Sequence, residues 1–139
     1  VIGMTFLERI GGQHGLETIL ADFYRRVSAD PMIGFLFKGK DLGRLVALEV
    51  QFTARAFGAS IDYEGRGMRL AHAALRVSGG QFDRRMRILE ETLRDHAVGA
   101  DVVEAWLGHG RALRRAVVVD ACEPPTASGA GLTSVGRSP

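Results

Sequence analysis

Disulfides are excluded at the outset, because Cys122 is the only cysteine in the 139 residues. A lone thiol fits a reducing cytoplasm. Nowhere does the chain offer the roughly 18–20 consecutive apolar residues that a membrane-spanning helix requires. Its first residues lack the basic region, apolar stretch and small-residue cleavage site of a secretory leader, so none is expected. A strong charge of one sign is missing as well. The formal net charge is +2, with both signs interspersed, which argues against a nucleic-acid partner. There is no similarity at a fixed period and hence no repeat solenoid. What is present is ordinary for one globular domain: 46% of residues are hydrophobic, enough for a single core at this length.

Apolar spacing reads as helix nearly throughout. Leu16, Leu20, Tyr24 and Val27 recur at helical intervals, with Ile19 and Phe23 beside them. This segment follows Gly11-Gly12 and ends near Asp30-Pro31, where Asp30 caps a new turn opened by the proline. A short amphipathic piece, Phe6 to Ile10, precedes it. A second long helix is expected from Asp41, an N-cap, to Gly58, with Leu45, Glu49 and Phe52 on one face. Residues 58 to 67 hold Gly58, Gly65 and Gly67 and read as a loop, followed by a short helix from Met68 to Ala74. Ser78 and Gln81 have capping-box spacing and open a helix whose apolar face is Phe82, Met86, Leu89 and Leu93. Asp101 and Glu104 suggest the same device for a last helix carrying Val102, Trp106, Leu113 and Val117, with Val117 to Val119 continuing it. The expectation is an all-α domain over residues 1–120, with 121–139 as a disordered tail rich in Pro, Gly, Ser and Thr.

Ordered fragments of this chain resemble the truncated haemoglobins. Ile10-Gly11-Gly12, Phe23-Tyr24-Arg25-Arg26-Val27, Asp30-Pro31 and Phe35-Leu36-Phe37 are similar to the first half of that family. Tyr63-Glu64-Gly65-Arg66-Gly67-Met68, Ala71-His72, Val77 and Phe82-Asp83 are similar to the second. Length and the Leu45–Phe52 segment favour group I. The resemblance implies a globin-like 2-on-2 helical sandwich, with a short proximal helix after the Gly-rich loop, enclosing haem b (iron protoporphyrin IX). It implies His72 as the iron ligand and Tyr24 pointing into the pocket from the other side. Phe37 corresponds to the phenylalanine against the haem ring, and Leu45 and Glu49 to the two helical positions facing the bound gas.

Residue chemistry accommodates these roles without requiring them. A neutral imidazole is a good iron ligand, and Met68 lies one turn before His72 on the same face. Spacing alone does not separate a ligand from an ordinary histidine. His14 reads as a helix-start residue, and His96 and His109 as surface or rim. Tyr24 lies on an apolar face, where a buried phenol needs a partner: a bound gas in one reading, a backbone carbonyl in the other. Glu49 departs from the glutamine common in group I. It has three readings: a neutral donor, an ionised acceptor for the Tyr24 proton, or a side chain swung to solvent. Phe37, Phe52, Phe57, Phe82, Met86 and Leu89 are wall candidates, whether of a haem pocket or of a plain core. Thr53, smaller than the phenylalanine of some relatives, suggests a more open gas route. Arg85 stands where relatives carry a small apolar residue; it either snorkels to solvent or reaches the haem. Arg66 and Arg69 are candidate partners of the haem propionates.

The expected function is therefore a haem globin that binds oxygen, nitric oxide or carbon monoxide and converts nitric oxide to nitrate with an unidentified reductase. The alternatives are a haem-based sensor, carrier or electron-transfer protein without turnover, and a globin fold that has lost haem.

Overall fold

The structure, a computed structural model, describes residues 5–58 and 76–119. The Gly-rich loop, the short helix with His72, and the tail from residue 120 lie outside the described residues.

Helix α1 (Phe6–Arg9) starts on a capping box: the Thr5 hydroxyl accepts from the Glu8 amide, and the Glu8 carboxylate accepts from the Thr5 amide. Gly11 and Gly12 follow with φ of 98° and 70°, a left-handed pair that only glycine adopts cheaply. The pair turns the chain straight into α2 (Gly12–Ala29). Here α2 buries Leu16, Ile19, Leu20, Phe23, Tyr24 and Val27, the stripe expected from their spacing.

At the end of α2 the Asp30 carboxylate accepts from the amides of Met32 (3.0 Å) and Ile33 (3.2 Å). These bonds shape the turn at Pro31 that leads into a 3-10 helix (Gly34–Phe37). Asp41 caps α3 (Leu42–Ala56) through the Arg44 amide. The Ser78–Gln81 capping box opens α4 (Gly79–Asp95), as expected. Then come α5 (Ala100–Ala112) and the single turn α6 (Arg114–Val117).

Helix α2 packs on both α3 and α4, and α4 packs on α5, so one helical pair, α2 with α3, is stacked on the other, α4 with α5. Phe23, Leu16, Leu20, Leu93 and Val102 form the seam between the pairs and are almost fully buried. Polar clamps reinforce it at the ends. Arg84 on α4 grips Asp30 through Nε (3.1 Å) and Nη2 (2.7 Å). Asp22 meets His96 at 2.8 Å and Arg26 at 3.0 Å. Partial burial pushes the Asp22 carboxyl upward, but hydrogen bonds from His96, Arg26 and Arg25 outweigh it and hold that group well below the usual carboxylate range.

The C-terminal part differs from the sequence expectation in three ways. Asp101 does not cap α5. The N-cap is Gly99, without a side-chain bond; Asp101 lies in the first turn, where its carboxylate accepts from the Val102 amide at 2.9 Å and from Arg9 at 2.7 and 2.8 Å. A helix cap is a local preference, and a guanidinium brought in by α1 offers a charged partner. The last helix is also interrupted, since Leu113 separates α5 from α6. Finally, Val118 leaves the helical pattern and forms a lone parallel bridge with Val77, the Val119 amide donating to the Val77 carbonyl at 2.7 Å. Apart from that bridge the described residues are helix, turn and loop. Among them no helix is long and apolar enough to cross a membrane.

Candidate functional site

A cavity of about 220 Å³ opens between the two helical pairs. The 3-10 helix contributes Phe37, whose position follows from the Asp30 turn; α3 contributes Leu45, Leu48, Glu49 and Phe52; α4 contributes Phe82, Arg85 and Leu89. Trp106 and His109 close it from α5, and Tyr24 from α2. Most of this lining is apolar.

The structure thus brings Tyr24, Phe37, Leu45, Glu49, Phe52 and Phe82 to one cavity. Two wall candidates lie elsewhere: Met86 rests against Gly110, where a Cβ would come within 2.8 Å of its terminal methyl, and Phe57 packs edge-on to Phe6 and Trp106 at 5.9 and 5.3 Å. The apolar-face position of Met86 is right, but that face is wide and its far edge packs on α5. His72, Met68, Arg66 and Arg69 lie outside the described residues.

One cluster supplies most of the cavity's polarity. The Tyr24 hydroxyl, 3.2 Å from Glu49 Oε1, donates to it. Thr53 Oγ1 donates to Glu49 Oε2 at 3.4 Å, and Arg85 Nη2 approaches Oε1 at 3.5 Å. Glu49 is therefore turned inward as an acceptor, and its side chain is not swung to solvent. Thr53, read from its size as opening a route, is itself buried and serves as an anchor for the carboxylate.

Arg85 turns inward too, its guanidinium 4.9 Å from the centroid of the Phe23 ring. Burial works against its charge, but the Glu49 carboxylate beside it outweighs that, so the guanidinium stays firmly protonated. Burial, and then the same carboxylate, push the Tyr24 phenol well above its ordinary value, so it keeps its proton. Tyr24 also sits edge-on to Phe23 and Phe37, at 5.2 and 5.9 Å.

His109 corrects a second expectation. It is half-buried at the cavity wall and not a surface residue: its ring lies 5.2 Å from that of Phe52, and Nε2 is buried without a hydrogen-bond partner. Lys40, at the end of the 3-10 turn, lines the cavity as well. Neither was identified from sequence. His109 falls on the α5 face that carries Trp106 and Leu113, which was the only signal available.

A broad apolar group fits these walls, and one with anionic edges would find cations in Lys40 and Arg85. Comparison with known proteins agrees. The Bacterial-like globin family profile matches residues 5–119. Group 1 truncated haemoglobin GlbN of Mycolicibacterium paratuberculosis is 32% identical over 101 residues, 73% of this chain and 74% of that protein. The namesake from Synechocystis is 32% identical over 103 residues, 71% of this chain and 83% of its own. Among solved structures, truncated haemoglobin from Tetrahymena pyriformis in its Fe(III) form superposes with a TM-score of 0.76 at 24% identity, covering 82% of this chain and 97% of that one. The chain is a bacterial-like globin and belongs with the group 1 truncated haemoglobins.

Proposed function

We propose that the cavity holds haem b and that the protein binds diatomic gases there (oxygen, nitric oxide or carbon monoxide), consuming nitric oxide as its reaction. The observation that carries this reading is a single cavity wall of Phe37, Leu45, Phe52 and Phe82 around one polar cluster, Tyr24, Glu49 and Arg85. Such a site gives an apolar macrocycle its burial and confines hydrogen bonding to the place where a small ligand enters. Haem, when bound, supplies a ferrous iron that coordinates a diatomic gas and gives up one electron as dioxygen and nitric oxide combine to nitrate.

The chain's own residues hold, orient and screen. His72 is the ligand this reading assigns to the iron, with Met68 beside it. Arg66 and Arg69 are its propionate partners, joined by Lys40 from the described lining. Leu45 and Leu48 keep water from the ligand side. Tyr24 and Glu49 set the direction of hydrogen bonding there, the phenol as donor and the carboxylate as acceptor. A separate reductase, in the reducing cytoplasm that one cysteine suits, is the partner this chemistry requires.

Haem titration followed by absorbance tests the reading. Wild type is expected to show an intense Soret band at one equivalent, and His72→Ala to lose haem to a competing apoglobin at least tenfold faster. A colourless wild type would refute it. Rapid nitrate formation when the oxy protein meets nitric oxide tests the reaction; a slow mixing-independent decay would leave gas binding alone.

A second reading, a sensor or electron-transfer globin, is favoured by one observation, the unpaired His109 Nε2 beside Phe52. An internal imidazole is a second iron ligand in waiting. A ferrous spectrum of six-coordinate, low-spin type without added gas, abolished in His109→Phe, would select it.

A further inference from the structure

We infer that Arg85, rather than Tyr24, presents hydrogen-bond donors to a ligand in the cavity, and that the site consequently favours ligands that carry negative charge. The inference rests on the haem reading above and adds to it a ligand class and the residue that selects it.

Proton counting leads there. A phenol has one proton, and that of Tyr24 is directed at Glu49 Oε1, 3.2 Å away. The reverse direction is closed, because an arginine can only donate and an ionised carboxylate can only accept. With Arg85 at Oε1 and Thr53 at Oε2, the carboxylate is an acceptor at both oxygens. The Tyr24 oxygen in turn accepts from Arg85, so the phenol has no proton to offer a ligand. A guanidinium has five N–H donors in a fixed fork. That of Arg85 lines the cavity, hydrogen-bonds the Tyr24 oxygen and approaches Glu49 at 3.5 Å through Nη2, and the remaining N–H groups of its fork are donors for another acceptor.

Its placement is also stiff. The guanidinium rests over the Phe23 ring at 4.9 Å, with a quarter of the side chain exposed. Among the described lining residues Lys40 adds a second cation, against the one carboxylate of Glu49. A donor with full positive charge in an apolar wall discriminates by charge: it strengthens binding of azide, nitrite or a dioxygen that has drawn electron density, and does little for neutral carbon monoxide.

The test uses the haem-loaded protein as wild type, Arg85→Leu, Arg85→Lys and Tyr24→Phe. Azide affinity of the ferric form, oxygen and carbon monoxide off-rates of the ferrous form, and the C–O stretching frequency of the carbon monoxide complex are measured. Arg85→Leu is expected to weaken azide about tenfold and to speed oxygen loss about tenfold, the size of effect a charge-assisted hydrogen bond carries. Its carbon monoxide off-rate stays within twofold, and the C–O stretch moves up as the positive field is lost, which a purely structural role would not produce. Arg85→Lys, which keeps the charge and loses the fork, lies between. Tyr24→Phe, which removes no donor aimed at the ligand, is expected neither to weaken azide nor to speed oxygen loss. A tenfold oxygen or azide effect in Tyr24→Phe, with both Arg85 variants like wild type, would overturn the inference. Should Arg85→Leu fail to hold haem, the Arg85→Lys and Tyr24→Phe pair decides on the same criterion. A wild type without a Soret band removes the haem reading and this inference with it; a full Soret band with unchanged azide binding in the Arg85 variants overturns the inference alone.

Discussion

Two adjacent arginines on α4 face opposite ways and do different work. Arg84 reaches outward to Asp30, making two bonds of 3.1 and 2.7 Å with a carboxylate that also holds the amides of Met32 and Ile33. Arg85, about 100° further round the helix, turns into the cavity toward Glu49 at 3.5 Å and lies over Phe23. The Asp30 pair is short, bidentate and backed by backbone, as befits a clamp. The Glu49 pair is long and open, with donors to spare. The difference teaches that an ion pair's role is read from how completely its hydrogen-bonding capacity is used. A saturated pair fixes the fold, and an unsaturated one beside a cavity has capacity left for a ligand.

Breaking the clamp is expected to have the largest effect on stability. Asp30→Ala removes the acceptor for two backbone amides and for Arg84, and should cost about 2 kcal/mol in urea unfolding, with azide affinity of the haem-loaded protein unchanged. If ligand binding changed as much as stability, the two arginines would not be separable.

The clamp also predicts an acid limb. Hydrogen bonds from Arg84, and then from the Met32 and Ile33 amides, hold the Asp30 carboxyl below its usual range against a smaller upward push from burial. A carboxyl with a lowered folded pKa contributes stability above its unfolded value, near 4, and loses that contribution as pH falls through the folded one. Wild-type stability should therefore drop below about pH 4, and Asp30→Asn should flatten that part of the profile. An unchanged slope would take Asp30 out of the acid transition.

Exchanging the arginines sharpens the contrast at smaller magnitude. Arg85→Leu should lower the unfolding free energy by about 1–2 kcal/mol, because it leaves the half-buried Glu49 carboxylate without its cationic partner. Arg84→Leu should lower the urea midpoint while leaving the C–O stretch of the carbon monoxide complex where it was. The smallest effect is expected at His109, whose Nε2 is buried unpaired. His109→Phe should stabilise the haem-free chain by up to about 1 kcal/mol by removing that polar atom; destabilisation would mean that the imidazole is satisfied in solution.

Much of the fold was legible because its signals are local. The α2 stripe, the Asp41 cap and the Ser78–Gln81 box are each contained within a few turns, and each is found where its spacing places it. The Asp101 cap failed because the helix starts one residue earlier, on Gly99, so that Asp101 lies inside the first turn and shares its carboxylate between the Val102 amide and the distant Arg9. Val118 failed as helix because Val77 offers a bridge that no local pattern announces. At the site, the family resemblance pointed to Tyr24, Phe37, Leu45 and Glu49, all of which line one cavity. It gave Arg85 no assigned role and passed over His109 altogether.

By itself the sequence determined where α2, α3 and α4 run and start, and which aromatic, imidazole and carboxyl groups are on hand. Periodicity and capping depend on neighbours three and four residues apart, which the chain order supplies. Only the tertiary structure decided where the Tyr24 proton goes and which way Arg85 turns. Those outcomes depend on partners 25 and 36 residues away from Glu49, and a hydrogen bond's direction is settled only when every donor and acceptor in reach has been brought together.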